Sequence, residues 1–249
     1  MVEQRRTAVV TGGIGGIGTA ICQRLAREGR GVVACYHPAE KHNLSEWLDA
    51  RQAEGLDIAL VAGDIASAED SARMMAEISD NYGAVEILVN CAGITRDKTM
   101  KRMQAEQWDA VITTNLSSVF YVTRPVWEGM LEHGFGRIIN IASVNGQRGQ
   151  FGQTNYSAAK AGMHGFTMAL AQEGATKGIT VNTVSPGYVE TAMTAAMRED
   201  VRDAIVSGIP LGRMAKPEEI AAAVAFLAAD EQAYITGANV PVNGGLFIH

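Results

Sequence analysis

The chain has 249 residues, 47% of them hydrophobic, and a net charge of −6. That length supports one sizeable core and hence one domain over residues 1–249. The acidic balance argues against nucleic acid or an anionic membrane as a partner. The longest apolar run, Ile220 to Ala229, is too short to span a bilayer, and the opening MVEQRRT lacks the apolar core of a signal peptide. Cys22, Cys35 and Cys91 form no CxxC and no even set, which suits a reduced, cytoplasmic setting. The histidines show no HxxxH or HExxH spacing, so no metal site is expected.

Thr7 to Thr11 reads as a short β-branched strand, followed by Gly12-Gly13-Ile14-Gly15-Gly16-Ile17-Gly18 and an amphipathic helix to about Glu28. A strand, a glycine turn and a helix make a phosphate cradle: glycines admit a pyrophosphate, and the helix N-terminus offers unpaired N–H groups and a positive dipole end. Two registers fit: Gly13, Gly15 and Gly18 as GxGxxG, or Gly12, Gly16 and Gly18 as TGxxxGxG. A second strand, Gly31 to Tyr36, should end where an adenosine ribose is read. An acid there would bind the 2′-OH and repel a 2′-phosphate. Tyr36 and His37 carry none before Glu40, and Lys41 and His42 lie just beyond, which favours NADPH, with NADH also possible. Lys41 and His42 also fit as solvated residues entering the next helix.

A helix over Leu44 to Glu54 leads to a strand over Asp57 to Val61 and then to Asp64, read either as an adenine-amino acceptor or as a turn residue. A helix over Ser67 to Tyr82 precedes a strand over Glu86 to Asn90, closed by Cys91-Ala92-Gly93, whose small residues would let a ribose lie against the backbone. A helical region follows over Ala105 to His133. It holds Asn115, read as a structural bond to backbone or a water-holding group in a proton relay, and Pro125, where a kink is expected.

Ile138 onward has the branched apolar pattern of a buried strand, ending at Ser143. A polar loop, Asn145 to Gln153, precedes a helix that places Tyr156 and Lys160, four apart, on one face. An ammonium beside a phenol stabilises its anion, and a hydroxyl can hydrogen-bond a carbonyl oxygen as charge builds on it. Together these make a proton-donating site for carbonyl reduction, although Tyr and Lys at this spacing is also a common surface pairing. Ile179 to Val184 reads as a strand followed by Ser185-Pro186-Gly187-Tyr188. The long Val189 to Arg213 segment suits a partly helical lid, with packing as the other account of its methionines. A helix from Pro217 to about Ala229 and a strand over Val240 to Val242 close the chain. Alternating strands and helices predict an α/β fold: a Rossmann-like doubly wound parallel sheet with helices on both faces and ligands at the carboxyl ends of the strands.

Thr11-Gly12-x3-Gly16-x-Gly18, Asn90-x-Ala92-Gly93, Asn115, Ser143, Tyr156-x3-Lys160 and Pro186-Gly187 resemble the short-chain dehydrogenase/reductase family over nearly the whole chain. Within it, SVNGQRGQFGQTNYSAAKAG and TVSPGYVETAM closely resemble the acetoacetyl-CoA reductases of polyhydroxybutyrate synthesis. Cys91 and Ala142 depart from the family's common Asn and Ser. The resemblance selects the Gly12, Gly16, Gly18 register. It implies Tyr156 as proton donor, Lys160 lowering the Tyr156 pKa and holding the nicotinamide ribose, Ser143 polarising a 3-keto oxygen, and Asn115 supporting a water-linked proton path. Gly12, Gly15, Gly16, Ile17, Gly18, Tyr36, His37, Lys41, Asp64, Asn90, Ala92, Gly93, Pro186 and Gly187 would lie along the dinucleotide. Gln150, Phe151, Gln153 and Tyr188 would shape the acyl pocket, and Lys98, Lys101, Arg102 and Arg148 are candidates for the CoA phosphates. An acyl-CoA thioester substrate and a homotetramer are implied as well. Reduction of a carrier-protein thioester and a non-catalytic dinucleotide-binding redox sensor are the competing readings.

Overall fold

The computed structural model describes residues 5–248, apart from the side chains of Lys41, His42, Asn43 and Met193. The elements, in chain order, are β1 (Thr7–Thr11), α1 (Gly16–Arg27), β2 (Gly31–Tyr36), α2 (Leu44–Ala53), β3 (Ile58–Ala62), α3 (Ala68–Tyr82) and β4 (Val85–Asn90). They continue with α4 (Ala105–Ile112), α5 (Ser118–His133), β5 (Gly136–Ile141), α6 (Val144–Arg148), α7 (Thr154–Gly174), β6 (Ile179–Pro186), α8 (Ala192–Ala195), α9 (Glu199–Ser207), α10 (Pro217–Ala228) and β7 (Asn239–Val242).

The strands form one parallel sheet in the order β3-β2-β1-β4-β5-β6-β7. All of β1 is buried, because both faces of a parallel sheet are covered by crossover helices. Its side chains alternate between two cores, as a period of two requires. Ala8 and Val10 join Ile21, Leu25, Ile220 and Val224 of α1 and α10. Val9 joins Met74, Ile78, Val122, Val126 and Met130 of α3 and α5. Each fully buried aliphatic side chain contributes about 1.5–3 kcal/mol, so the two cores clamp the sheet that carries the site. β1 pairs with β2 on one side and β4 on the other, and the crevice lies where the strand order reverses between them.

Two expected features differ. The helical region after Ala105 is not interrupted at Pro125, which lies inside the continuous α5. The break lies instead at Thr113–Ser117, a wide π turn around Asn115, a form that marks functional positions in helices. The Asn145–Gln153 loop begins as α6. Ser143 Oγ accepts from the Asn145 N–H at 3.1 Å and caps that short helix, and Gly149, at φ +72°, ends it. The Val189–Arg213 excursion is part helical, as expected. Its ends are tied by Glu190 N–H to Ala215 O and Ala215 N–H to Tyr188 O, at 2.8 and 2.9 Å.

Candidate active site

The glycine turn is shaped by contacts that admit no side chain. Gly12 lies at φ +63°, and a Cβ on it would fall 2.9 Å from Ala92 Cα. A Cβ on Gly18 would collide with the Gly12 carbonyl, and one on Gly16 would press on Thr191 at the start of the Val189–Arg213 excursion. Gly15 stands just before α1 and donates from its N–H to Gly12 O at 3.1 Å. The Gly12, Gly16, Gly18 register therefore describes the turn, and α1 begins at Gly16 with its N-terminus toward the crevice. Gly13, which belongs to the other register, is needed for packing: a Cβ there would lie 2.6 Å from Ala34 Cβ of β2. Backbone packed this closely around a helix N-terminus could hold a dinucleotide pyrophosphate; Gly15, Gly16 and Ile17 stand at that N-terminus.

Opposite the turn, Thr11 Oγ1 accepts from the Cys91 and Ala92 N–H groups at 3.0 and 3.2 Å. This holds Asn90-Cys91-Ala92-Gly93 against the cradle. The Asn90 side chain turns into the protein. It donates to Asn140 Oδ1 at 2.9 Å, Asn140 donates to Thr167 Oγ1 at 2.8 Å, and Thr183 Oγ1 donates to the same oxygen at 2.8 Å. The Asn90 amide is thus engaged within the protein. At the ribose-reading end of β2, His37 Nδ1 accepts from Ala39 N–H, and Glu40 folds back so that its carboxylate accepts from His37 N–H at 3.1 Å. Asp64 Oδ1 accepts from Ala66 N–H at 2.9 Å and lies 3.9 Å from His37 Nε2, which is the turn reading of that residue. Tyr36 closes β2 at the same end. The side chains of Lys41 and His42 lie outside the described ones.

Ser143 follows β5, Tyr156 and Lys160 lie on α7, and Asn115 occupies the π turn. Burial pushes the Tyr156 phenol up to about 12, with its hydrogen bond to Ser143 pulling the other way. Burial pushes the Lys160 ammonium down to about 8. Lys160 Nζ lies 5.7 Å from the Tyr156 ring centroid and donates to Ile141 O at 2.7 Å. For the protein by itself the largest influence on the Tyr156 phenol is desolvation, and Asp97 and Cys91 add to the rise. Ser143 Oγ accepts from the Asn145 N–H, so its own hydrogen is the one that can be donated, toward Tyr156 in the protein by itself. Asn115 is fully buried, and both ends of its amide bind Ile94: Oδ1 accepts from Ile94 N–H and Nδ2 donates to Ile94 O, each at 2.8 Å. This is the structural reading of Asn115. Gly93 lies between it and Lys160, since a Cβ there would meet Asn115 Oδ1 at 2.6 Å and Lys160 Nζ at 3.5 Å.

The four acyl-pocket candidates separate. Gln153 is engaged in the protein: Asn145 Nδ2 donates to its Oε1 at 3.0 Å, and its Nε2 donates to Asp97 Oδ2 at 2.7 Å. Gln150 is exposed beside Arg148, whose guanidinium donates to it at 3.4 Å, and Phe151 is 87% exposed. Tyr188 is half-buried beside Gly187, where a Cβ would fall 2.9 Å from Asn243 Cα; Pro186 is the last residue of β6. Lys98, Lys101, Arg102 and Arg148 are all exposed. Sequence reasoning missed the ties made by Thr11, Asn140, Asn145 and Asn155. A lone amide inside an apolar strand, such as Asn140 within Ile138–Ile141, was the available signal. Among the described residues, no cluster of three His, Cys, Asp or Glu side chains is placed to hold a metal.

A family model described as enoyl-(acyl carrier protein) reductase matches residues 12–247. The chain is 70% identical to an acetoacetyl-CoA reductase of Allochromatium vinosum over 98% of this chain and 99% of the relative. It is 54% identical to one of Cupriavidus necator, over 97% and 98% of the two chains. It is 46% identical to a 3-oxoacyl-[acyl-carrier-protein] reductase of Pseudomonas aeruginosa over the full length of both. The glycine cradle, the Ser143, Tyr156 and Lys160 cluster beside it, and this likeness over nearly the whole length have one account: the chain belongs to the short-chain dehydrogenase/reductase family.

Proposed function

We propose that this protein reduces acetoacetyl-CoA to (R)-3-hydroxybutyryl-CoA, reversibly, in polyhydroxybutyrate synthesis, using NADPH. The observation that carries the reading is the convergence of Ser143, Tyr156 and Lys160 beside a dinucleotide cradle, in a chain 70% identical to an acetoacetyl-CoA reductase. When bound, the reduced nicotinamide supplies the hydride. Gly12 to Gly18, Ala92-Gly93 and Pro186-Gly187 would hold the cofactor by close backbone approach. Ser143 donates to the 3-keto oxygen, and Tyr156 gives that oxygen its proton. A phenol held near 12 keeps its proton at neutral pH and yields it to an alkoxide, a far stronger base. Lys160, held near 8, supplies positive charge at neutral pH to the phenolate left behind. Asn115 anchors Ile94, and so fixes the turn against which Lys160 lies. Tyr188 lines the acyl pocket, and the exposed Lys98, Lys101, Arg102 and Arg148 attract the CoA phosphates. Three free cysteines and the absence, among the described residues, of a helix able to cross a membrane are compatible with a cytoplasmic enzyme. A homotetramer is proposed with α5 and α7 packing across one interface.

One observation favours NADH as a second reading of the cofactor. Glu40, four residues past the end of β2, folds back onto His37 and brings a carboxylate to that end. A carboxylate near the ribose would repel a 2′-phosphate. The test is the initial rate with acetoacetyl-CoA, followed by nicotinamide absorbance, with NADPH and NADH in parallel. Faster oxidation of NADPH supports the first reading. Faster oxidation of NADH assigns Glu40 the ribose. No turnover with either, alongside turnover of the carrier-protein thioester, moves the substrate to the competing reductase reading. Dinucleotide binding without any turnover favours the sensor.

A further inference from the structure

We propose that Asn155 is a positioning residue for Tyr156, setting the proton donor against the loop that leaves β4; this rests on the reading of Tyr156 as proton donor. Asn155 immediately precedes Tyr156 in the first turn of α7 and is fully buried. The first-turn N–H groups of a helix have no partner within the helix. Gln153, at the N-cap of α7, offers no side-chain bond to them. Asn155 Oδ1 takes that place, accepting from the Tyr156 N–H at 2.8 Å. Its Nδ2 reaches out of the helix, donating to Arg96 O at 3.2 Å and Gln107 O at 3.1 Å. Two carbonyls that only accept and one N–H that only donates leave a single orientation for the amide.

The partners give these bonds their consequence. Arg96 is two residues beyond Ile94, the residue held at both ends by Asn115. Gln107 lies on α4, which runs directly into the π turn carrying Asn115. Two buried amides from different elements thus pin one short segment, and Asn155 joins that segment and α4 to the turn bearing the phenol. A displacement of about 1 Å at a reacting group can cost about a hundredfold in rate. Asn155 touches neither substrate nor cofactor in this account, and it acts through Tyr156.

The test uses the full-length enzyme, acetoacetyl-CoA and whichever dinucleotide the unmodified protein oxidises faster. Asn155→Ala is expected to lower kcat about a hundredfold while leaving the dinucleotide Kd within about twofold. In a Tyr156→Phe background the same change should cost less than about threefold, because its effect passes through the missing phenol. Asn155→Ser keeps a small acceptor for the Tyr156 N–H but reaches neither carbonyl, and it carries the same expectations if the alanine variant folds poorly. Unchanged kcat in both variants overturns the proposal. So does a loss that recurs undiminished without the phenol, or one that tracks a falling melting temperature in both. If Tyr156→Phe alone keeps full turnover, the proton-donor reading fails and the proposal with it. Inactive Tyr156→Phe beside fully active Asn155 variants refutes only the proposal.

Discussion

At the scale of single residues the site is governed by desolvation. Tyr156 is held near 12 and Lys160 near 8, both moved toward their neutral forms by burial. Lys160 donates to a backbone carbonyl, Ile141 O, and among the described residues it has no carboxylate partner to offset the cost of burying an ammonium. This has a pH signature. Below about 8 the amine is protonated in both native and unfolded states, and the native state bears that cost in full. Between about 8 and 10.5 the unfolded chain binds more protons than the native one, so stability rises with pH across this window. Relative to Lys160→Met, the unfolding free energy of the unmodified protein is expected to rise by on the order of 3 kcal/mol over that interval. Denaturant unfolding at a series of pH values measures it, and a flat difference would mean that Lys160 is solvated.

At the scale of elements, function depends on how closely backbones approach. The turn from β1 to α1 is closed so tightly that a methyl on Gly18 has only the Gly12 carbonyl to enter. Gly18→Ala is expected to weaken dinucleotide binding at least about tenfold and to cost about 1–3 kcal/mol of stability, as overpacking does. Gly129, inside α5, is the contrast, because nothing lies within 4 Å of a Cβ built there. Gly129→Ala should leave binding unchanged and gain up to about 1 kcal/mol from helix propensity. Fluorescence titration with the dinucleotide and chemical denaturation read both variants. Equal binding by Gly18→Ala would show that the cradle can shift to accept a side chain. The π turn belongs to this scale too. Asn115 reaches Ile94 only because the helix widens at Thr113–Ser117, and a straight α-helix through this region would aim that amide elsewhere.

At the scale of the whole molecule, two cores hold the sheet, and some apolar side chains remain outside both. Phe120 on α5 and Met168 on α7 are each 53% exposed. They lie on the two helices proposed to pack across the tetramer interface, and exposed apolar area of this kind marks association surfaces. Phe120→Asp would place a charge in that contact. Light scattering is expected to give a tetramer for the unmodified protein and a smaller species for the variant. A monomeric unmodified protein would remove the assembly proposal while leaving the site, whose named residues all come from one chain, untouched.

The order and type of elements were legible because each strand is a short β-branched run and each long helix is periodic. β1 and β2 fall on their expected residues. Spacing alone placed Tyr156 and Lys160 on one helix face, since four residues on a helix bring side chains together; their role with Ser143 came from the family resemblance over the whole chain. What the linear chain could not display was set by long-range contact. Gly93 is small because Asn115 and Lys160 converge on it, and Gln153 is bonded to Asn145 and Asp97. Asn155 finds its carbonyls on a loop and a helix 59 and 48 residues away. Local pattern determines which elements form. The partners of a buried amide and the pKa of a buried amine depend on which elements meet, and only the tertiary structure decided that.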